Sequence, residues 1–209
     1  KERFLSKEPT ISTFVRITAG QAKNFKIEIP RNTRPLTDRM KVRIFDVLGS
    51  DIANKSVLDL YAGAGSFALE ALSRGAKEAT LVDASKQGNI IIQRNVAHTG
   101  FLPQAEVIKS KVEDFIQKYK DSDKTWDIIF MDPPYKLYNT KRVEKMERII
   151  NDASYLLPGV KNPKTKKFKG AFIIKHPKRY PIDKLNLKHI KRVDTYEFGL
   201  NSISLYIVK

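Results

Sequence analysis

The sequence contains no cysteine, and only three histidines stand among its 209 residues. Without cysteine there is no disulfide, no thiolate zinc site and no cysteine nucleophile, and the chain suits a reducing compartment. His98, His176 and His189 are far apart in the chain, so no metal centre is expected from them. No apolar run approaches the length a membrane helix needs, and no secretory pattern opens the chain. The start at Lys1, without a methionine, reads as a processed or trimmed terminus. Acidic residues are also scarce: 23 Asp and Glu against 39 Lys and Arg, a net charge of +16. That imbalance is localised. Residues 1–50 hold 11 Lys/Arg against 5 Asp/Glu, residues 51–150 hold 15 against 14, and residues 151–209 hold 13 against 4. Two basic ends around a neutral middle suggest a polyanion-binding face, most simply nucleic acid. The run KNPKTKKFKG (161–170) reads first as a solvated lysine-rich surface, and as a mobile loop whichever way it functions.

What is present alternates. Strand signals at 56–62, 78–84, 105–109, 126–132 and 171–176 are separated by helix signals at 65–75, 86–100, 111–120 and 140–157. Such alternation predicts a doubly wound, mostly parallel sheet with helices on both faces. Two further alternating runs, 189–199 and 201–209, split at Gly199-Leu200, predict a closing antiparallel hairpin and so a seven-stranded sheet. Residues 1–50 differ. FVRITAGQAKNFKIEIP (14–30) predicts a β-hairpin turning near Gly20–Asn24. TRPLTDRMKVRIFDVLG (33–49) predicts a helix capped by Thr37, with Val42, Ile44, Phe45, Val47 and Leu48 on its apolar side. The chain thus divides into a small basic extension, 1–50, and an α/β domain, 51–209.

LDLYAGAGSFA (58–68) sets Gly63 and Gly65 between a strand and a helix, where a ligand can approach the backbone and a helix N-terminus. Gly63, Gly65 and Ala68, with Asp83 twenty residues on, formally satisfy a dinucleotide fingerprint. Asp59 argues against it, because a carboxylate near the mouth of the turn repels a pyrophosphate and favours a cation. S-adenosylmethionine offers an amino group, a sulfonium and a ribose diol without phosphate. IIFMDPPYKLY (128–138) raises a second question, since a buried strand stops at an acid and two prolines. The prolines remove two donors, fix two φ angles and hold the preceding residue extended. A doubly wound sheet brings the ends of its first and fourth strands to one edge. There, Asp132 and the Pro133 carbonyl would hold a ring-bound amine, and Tyr135 would stack on its ring. Such a base must come from a single-stranded loop or leave its stack.

The ordered set of D-x-Y-A-G-x-G (59–65), a second-strand acid and D-P-P-Y (132–135) resembles the class I S-adenosylmethionine-dependent amino-methyltransferases, a Rossmann-like fold. RITAGQAKNFKIEIP (16–30), TRPLTDRMKVRIFDVLG (33–49) and VLDLYAGAGSFALEALSRGA (57–76) resemble more narrowly the bacterial RsmD family, which methylates guanine N2 in 16S ribosomal RNA. The resemblance runs from about residue 15 to the end and is clearest over 15–83 and 127–135. It implies that Asp132, Pro133, Pro134 and Tyr135 form the catalytic target pocket. It also implies that Asp59, Tyr61, Ala62, Gly63, Gly65, Asp83, Ala84, Lys111 and Val112 bind S-adenosylmethionine and its product S-adenosylhomocysteine, with no metal. Arg34, Thr37 and Arg39 would meet the RNA; Thr37 reads equally as a helix cap. The implied partner is ribosomal RNA, as the 30S subunit or an assembly intermediate, met in the cytoplasm by a monomer. One departure stands out: relatives usually carry an acid just after the third strand, where this chain has Lys111. Either the Lys111–Val112 backbone reads the adenine, or Glu113 or Asp114 substitutes, or donor binding is weak. The alternatives are an adenine-N6 nucleic-acid methyltransferase, a protein glutamine methyltransferase, a non-catalytic RNA-binding module and, last, a nicotinamide oxidoreductase.

Overall fold

A computed structural model describes residues 8–164 and 167–209. Residues 1–7 of the extension, and Thr165 and Lys166 of the lysine-rich run, lie outside the described residues. Strands β1 (Ile11–Arg16) and β2 (Lys26–Pro30) pair antiparallel as the expected hairpin. Gly20 and Asn24 take positive φ, 81° and 70°, in its turn. At Gly20 a Cβ would lie 1.8 Å from the Ser73 carbonyl oxygen, so glycine is what lets the turn touch the protein body. Helix α1 (Asp38–Leu48) follows, and the Thr37 hydroxyl accepts the Met40 N–H at 3.3 Å as its N-cap.

The alternating middle folds as β3 (Ser56–Leu60), α2 (Ser66–Ser73), β4 (Glu78–Asp83), α3 (Lys86–Thr99), β5 (Ala105–Lys109), α4 (Val112–Lys120), β6 (Ile128–Met131), α5 (Val143–Ser154), α6 (Pro158–Lys161) and β7 (Ala171–Pro177). The closing hairpin is β8 (Ile190–Phe198) and β9 (Asn201–Val208). The large sheet runs β5-β4-β3-β6-β7-β9-β8, parallel from β5 to β7 and antiparallel at β9 and β8. Succession reverses between β3 and β6, the topological switch point at which such sheets hold ligands.

Each sheet face has its own core. Leu58, Leu60, Val82, Ile129, Met131 and Ile174 pack with Phe115 and Ile116 of α4 and Met146, Ile149 and Ile150 of α5. Val57, Leu81, Phe130 and Ile173 pack on the other face with α1, α2, α3 and the N-terminal hairpin. Phe45 of α1, Phe67 of α2 and Phe130 of β6 stack in sequence, with centroids 5.3 and 4.3 Å apart. Burying each such ring contributes about 1.5–3 kcal/mol. The extension is therefore joined to the sheet through a shared core.

Three expectations need correction. Val42 and Val47 are exposed, because the buried stripe of α1 is Met40, Lys41, Ile44, Phe45 and Leu48. Lys41 joins that stripe because its ammonium reaches the Arg16 carbonyl and lies 3.7 Å from Asp38. The helix expected over 140–157 is α5 alone, closed by turns and then α6, where Pro158 takes the first helical position. Finally, Lys161 is not a free surface lysine. Its ammonium donates to the carbonyls of Tyr119, Ser122 and Lys124, which close the end of α4. Among the described residues no helix is long and apolar enough to cross a membrane.

Candidate active site

Side chains alternate along a strand. Asp59, Asp83 and Asp132 therefore share the face of Val57, Leu81 and Phe130, at the ends of β3, β4 and β6. They line one cavity of about 950 Å³ that opens over the switch point. Its floor includes Phe67 and Phe130, and its wall includes Asn32, Thr33 and Arg34 from the N-terminal extension.

Asp59 is 1 % exposed, and one carboxylate oxygen accepts the Ala68 N–H of α2 at 3.2 Å. Burial pushes its carboxyl well above the usual carboxylate range; the Ala68 N–H draws it back, and Asp132 and Asp83 push it up further. A cation entering the cavity would relieve that load. Asp83 ties the neighbouring turn together: one oxygen accepts the Gly63 N–H and the other the Ser85 N–H, both at 2.9 Å. Each oxygen keeps a second acceptor site. Between these acids Tyr61 takes a left-handed φ of 61°, which costs a non-glycine residue about 1–2 kcal/mol. The buried hydroxyls of Tyr61 and Ser66 have no hydrogen-bond partner, and both residues line the cavity. A strained residue and two orphaned hydroxyls at the sheet edge mark a place built for a polar ligand.

The abrupt stop of β6 at Asp132-Pro133-Pro134-Tyr135 has a backbone cause. The Asp132 N–H makes the last sheet bond, to the Leu60 carbonyl at 3.3 Å, and the two prolines offer no successor. Pro134 is extended, with φ −63° and ψ 147°, and Tyr135–Leu137 form a single 3-10 turn. Burial raises the Asp132 carboxyl above its ordinary range, and the Lys175 ammonium 3.3 Å away lowers it. The Tyr135 hydroxyl donates to Asn201 at 2.6 Å and accepts from the Arg34 guanidinium at 3.2 Å. The Arg34 guanidinium also lies 4.8 Å over the Tyr135 ring, a cation–π contact on an exposed aromatic face.

The cavity gathers Asp132, Pro133, Pro134 and Tyr135. It also gathers Asp59, Tyr61, Ala62 and Gly63 with Asp83, Ala84, Lys111 and Val112. Gly65 stands back from it as the left-handed N-cap of α2, its α-carbon turned toward Leu81. Thr37 caps α1 and Arg39 is exposed beyond it; neither lines the cavity, whereas Arg34 does. Lys111 is the N-cap of α4 without a side-chain capping bond, and Glu113 and Asp114 of the same first turn also line the wall. Sequence reasoning missed Ser66, Tyr138, Lys175, His176 and Asn201, all at the cavity. A lysine and a histidine ending an apolar strand were the available signal. It also missed Asn95, whose amide reaches the carbonyls of Glu28 and Ala64 at 2.9 Å and so joins the hairpin, α3 and the glycine turn. Among the described residues no His, Asp and Glu gather as metal ligands.

Residues 15–206 match a protein-family model described as conserved hypothetical protein 95. A Buchnera aphidicola protein named ribosomal RNA small subunit methyltransferase D is 32% identical over 121 residues, which is 57% of this chain and 62% of that protein. The matched segment thus spans less than two thirds of that relative. Among solved structures, a putative methyltransferase from Escherichia coli superposes with a TM-score of 0.75 at 24% identity, over 94% of this chain and 99% of that one. A putative methylase from Haemophilus influenzae superposes with a TM-score of 0.70 at 26% identity, over 93% and 98%. The fold is that of the class I methyltransferases.

Proposed function

This chain belongs to the RsmD family, whose model spans residues 15–206, and on that premise we propose that it transfers a methyl group from S-adenosylmethionine to the N2 amine of a guanine in small-subunit ribosomal RNA. The observation that carries the reading is the convergence of Asp59, Asp83 and Asp132 on one cavity at the switch point.

The residues present fit this donor. The buried, like-charged environment of Asp59 suits a cationic ligand and opposes a pyrophosphate. The unpartnered hydroxyls of Tyr61 and Ser66 supply polar contacts. Asp83, already braced by two backbone N–H groups, would accept ribose hydroxyls, and Glu113 or Asp114 on the cavity wall would accept the adenine amine. When bound, S-adenosylmethionine supplies a methyl group on a sulfonium, open to attack by nitrogen. Asp132 and the Pro133 carbonyl would accept the N–H groups of the target amine, and the stiff proline turn would fix their direction. Tyr135 would stack on the base once Arg34 yields its face. The rate would come chiefly from alignment. The Asp132 carboxylate would stabilise the positive charge that grows on the amine nitrogen while the carbon–sulfur bond breaks to leave a neutral thioether, and the nitrogen would then lose its proton.

The exposed cations at the rim, Arg34, Lys111 and Lys136, supply phosphate contacts. The division at residue 50 follows function on this reading: the extension presents RNA-facing groups and the α/β domain holds the donor. A 30S particle or its precursor is the substrate, met by a monomer in the cytoplasm where ribosomes are made. Labelled donor incubated with ribosomal RNA, 30S particles, DNA and protein tests the reading. Methyl should enter RNA at guanine N2, identified by nucleoside mass spectrometry. Asp132→Ala should cut transfer by about 10²–10³-fold while leaving RNA binding in place. Label entering adenine or protein instead would overturn it.

A further inference from the structure

Strand β7 reads Ala171-Phe172-Ile173-Ile174-Lys175, an apolar run that ends in a charge. Parallel register sets Met131 of β6 beside Ile174 of β7. The next residue on each strand, Asp132 and Lys175, therefore stand side by side where the sheet meets the cavity. The Lys175 side chain is only 7% exposed and that of Asp132 25%, and Nζ lies 3.3 Å from Oδ2. The lysine backbone is held on both sides. Its carbonyl accepts the Tyr138 hydroxyl at 2.5 Å, and β9 pairs with it opposite Ile203. Burying an ammonium is costly, and an apolar side chain would fill such a position with less desolvation. What an apolar side chain cannot do is set the charge and direction of the neighbouring carboxylate.

We propose that Lys175 is a positioning residue for the methyl-transfer pocket: its ammonium holds one oxygen of Asp132 and keeps the group ionised, leaving the other oxygen to accept the target amine. This rests on the methyltransferase reading above. A protonated Asp132 would turn one acceptor into a donor and face the amine wrongly. The groups around Asp132 pull in both directions. Asp59 of β3 is the neighbouring acid, and the charge of Asp132 pushes its carboxyl further up. Burial pushes the Tyr61 and Tyr138 phenols up and the His176 imidazole down, so these three favour their uncharged forms. Arg34 and Lys145 stand on the cavity wall. Among the described residues Lys175 is the cation within hydrogen-bond reach, and it offsets part of the upward push of burial.

The test uses ligand-free protein carrying ¹³C-labelled aspartate, with the Asp132 carboxyl signal assigned through Asp132→Asn. In Lys175→Met the Asp132 titration midpoint should rise by roughly one to three pH units, and the acid limb of kcat/KM for RNA methylation should move up with it. Lys175→Arg should restore both. Lys175→Gln, which keeps a donor without the charge, should leave the midpoint raised, and it serves in place of the Met variant should that one fold poorly. Calorimetric binding of S-adenosylhomocysteine should be unchanged in every variant that folds. Lost activity with an unmoved midpoint and acid limb would make Lys175 a packing residue and overturn the assignment. Absence of RNA methylation by the unsubstituted protein would instead bring down the underlying reading, and the assignment with it.

Discussion

Asp59 shows at the scale of one residue how a binding site is stored as instability. Its carboxyl is buried beside two other acids with one backbone N–H for company. Its folded pKa lies above the unfolded value of about 3.9. The folded state therefore holds the proton more tightly, and the stability this contributes at low pH is lost as pH rises from the unfolded toward the folded value. Asp59→Asn keeps an acceptor for the Ala68 N–H and removes the charge. The ligand-free variant should melt higher than the unsubstituted protein at pH 8, by about 2–4 °C for each kcal/mol gained, with the gap narrowing in acid. Its affinity for S-adenosylmethionine should fall at least about tenfold, about 1.4 kcal/mol. Scanning calorimetry and titration calorimetry read the two effects, and a variant that binds the donor normally would remove Asp59 from the site. Asp59 and Asp132 could be named from the sequence because each breaks an apolar strand beside a glycine or proline turn. Lys175 carried only the signal of a charge ending an apolar strand and Asn201 carried none, since strand register sets both beside the pocket.

Elements in this chain are positioned by their ends. Thr37 caps α1 through the Met40 N–H, and Thr37→Ala should cost about 1 kcal/mol without changing donor affinity, as read by chemical denaturation. Gly20 carries a heavier constraint. A Cβ there would strike the Ser73 carbonyl at 1.8 Å, and its φ of 81° disfavours any side chain. Gly20→Ala should therefore destabilise more than the cap variant and loosen the hairpin, seen as faster hydrogen exchange in β1 and β2. Strand and helix identities were legible because alternation and apolar spacing are local properties. The buried face of α1 was less so: Val42 and Val47 look like core residues until the stacked rings of Phe45 and Phe67 set the helix rotation. Lys161 was misread for the same reason, since the carbonyls that hold it lie some forty residues away in the chain.

For the whole molecule, the basic segments 1–50 and 151–209 flank a nearly neutral segment, 51–150. The fold brings cations from separate segments, Arg34, Lys111 and Lys136, to the rim of one cavity. RNA affinity should therefore fall steeply with salt, with a log–log slope of about −0.7 to −0.9 per phosphate contact. Lys136→Glu should weaken binding to all RNA sequences alike and reduce the slope by about one, measurable by filter binding across salt concentrations. A slope near zero would separate the charge from RNA recognition.

By itself the sequence determined which elements form, where β6 must stop and which acids lie at strand ends, because dihedral limits, missing donors and apolar periods act over a few residues. Only the tertiary structure decided that Asp59, Asp83 and Asp132 share one cavity, that Arg34 covers Tyr135 and that Lys175 neighbours Asp132. Those relations depend on strand order and register, which packing of the two sheet faces settles over the whole chain.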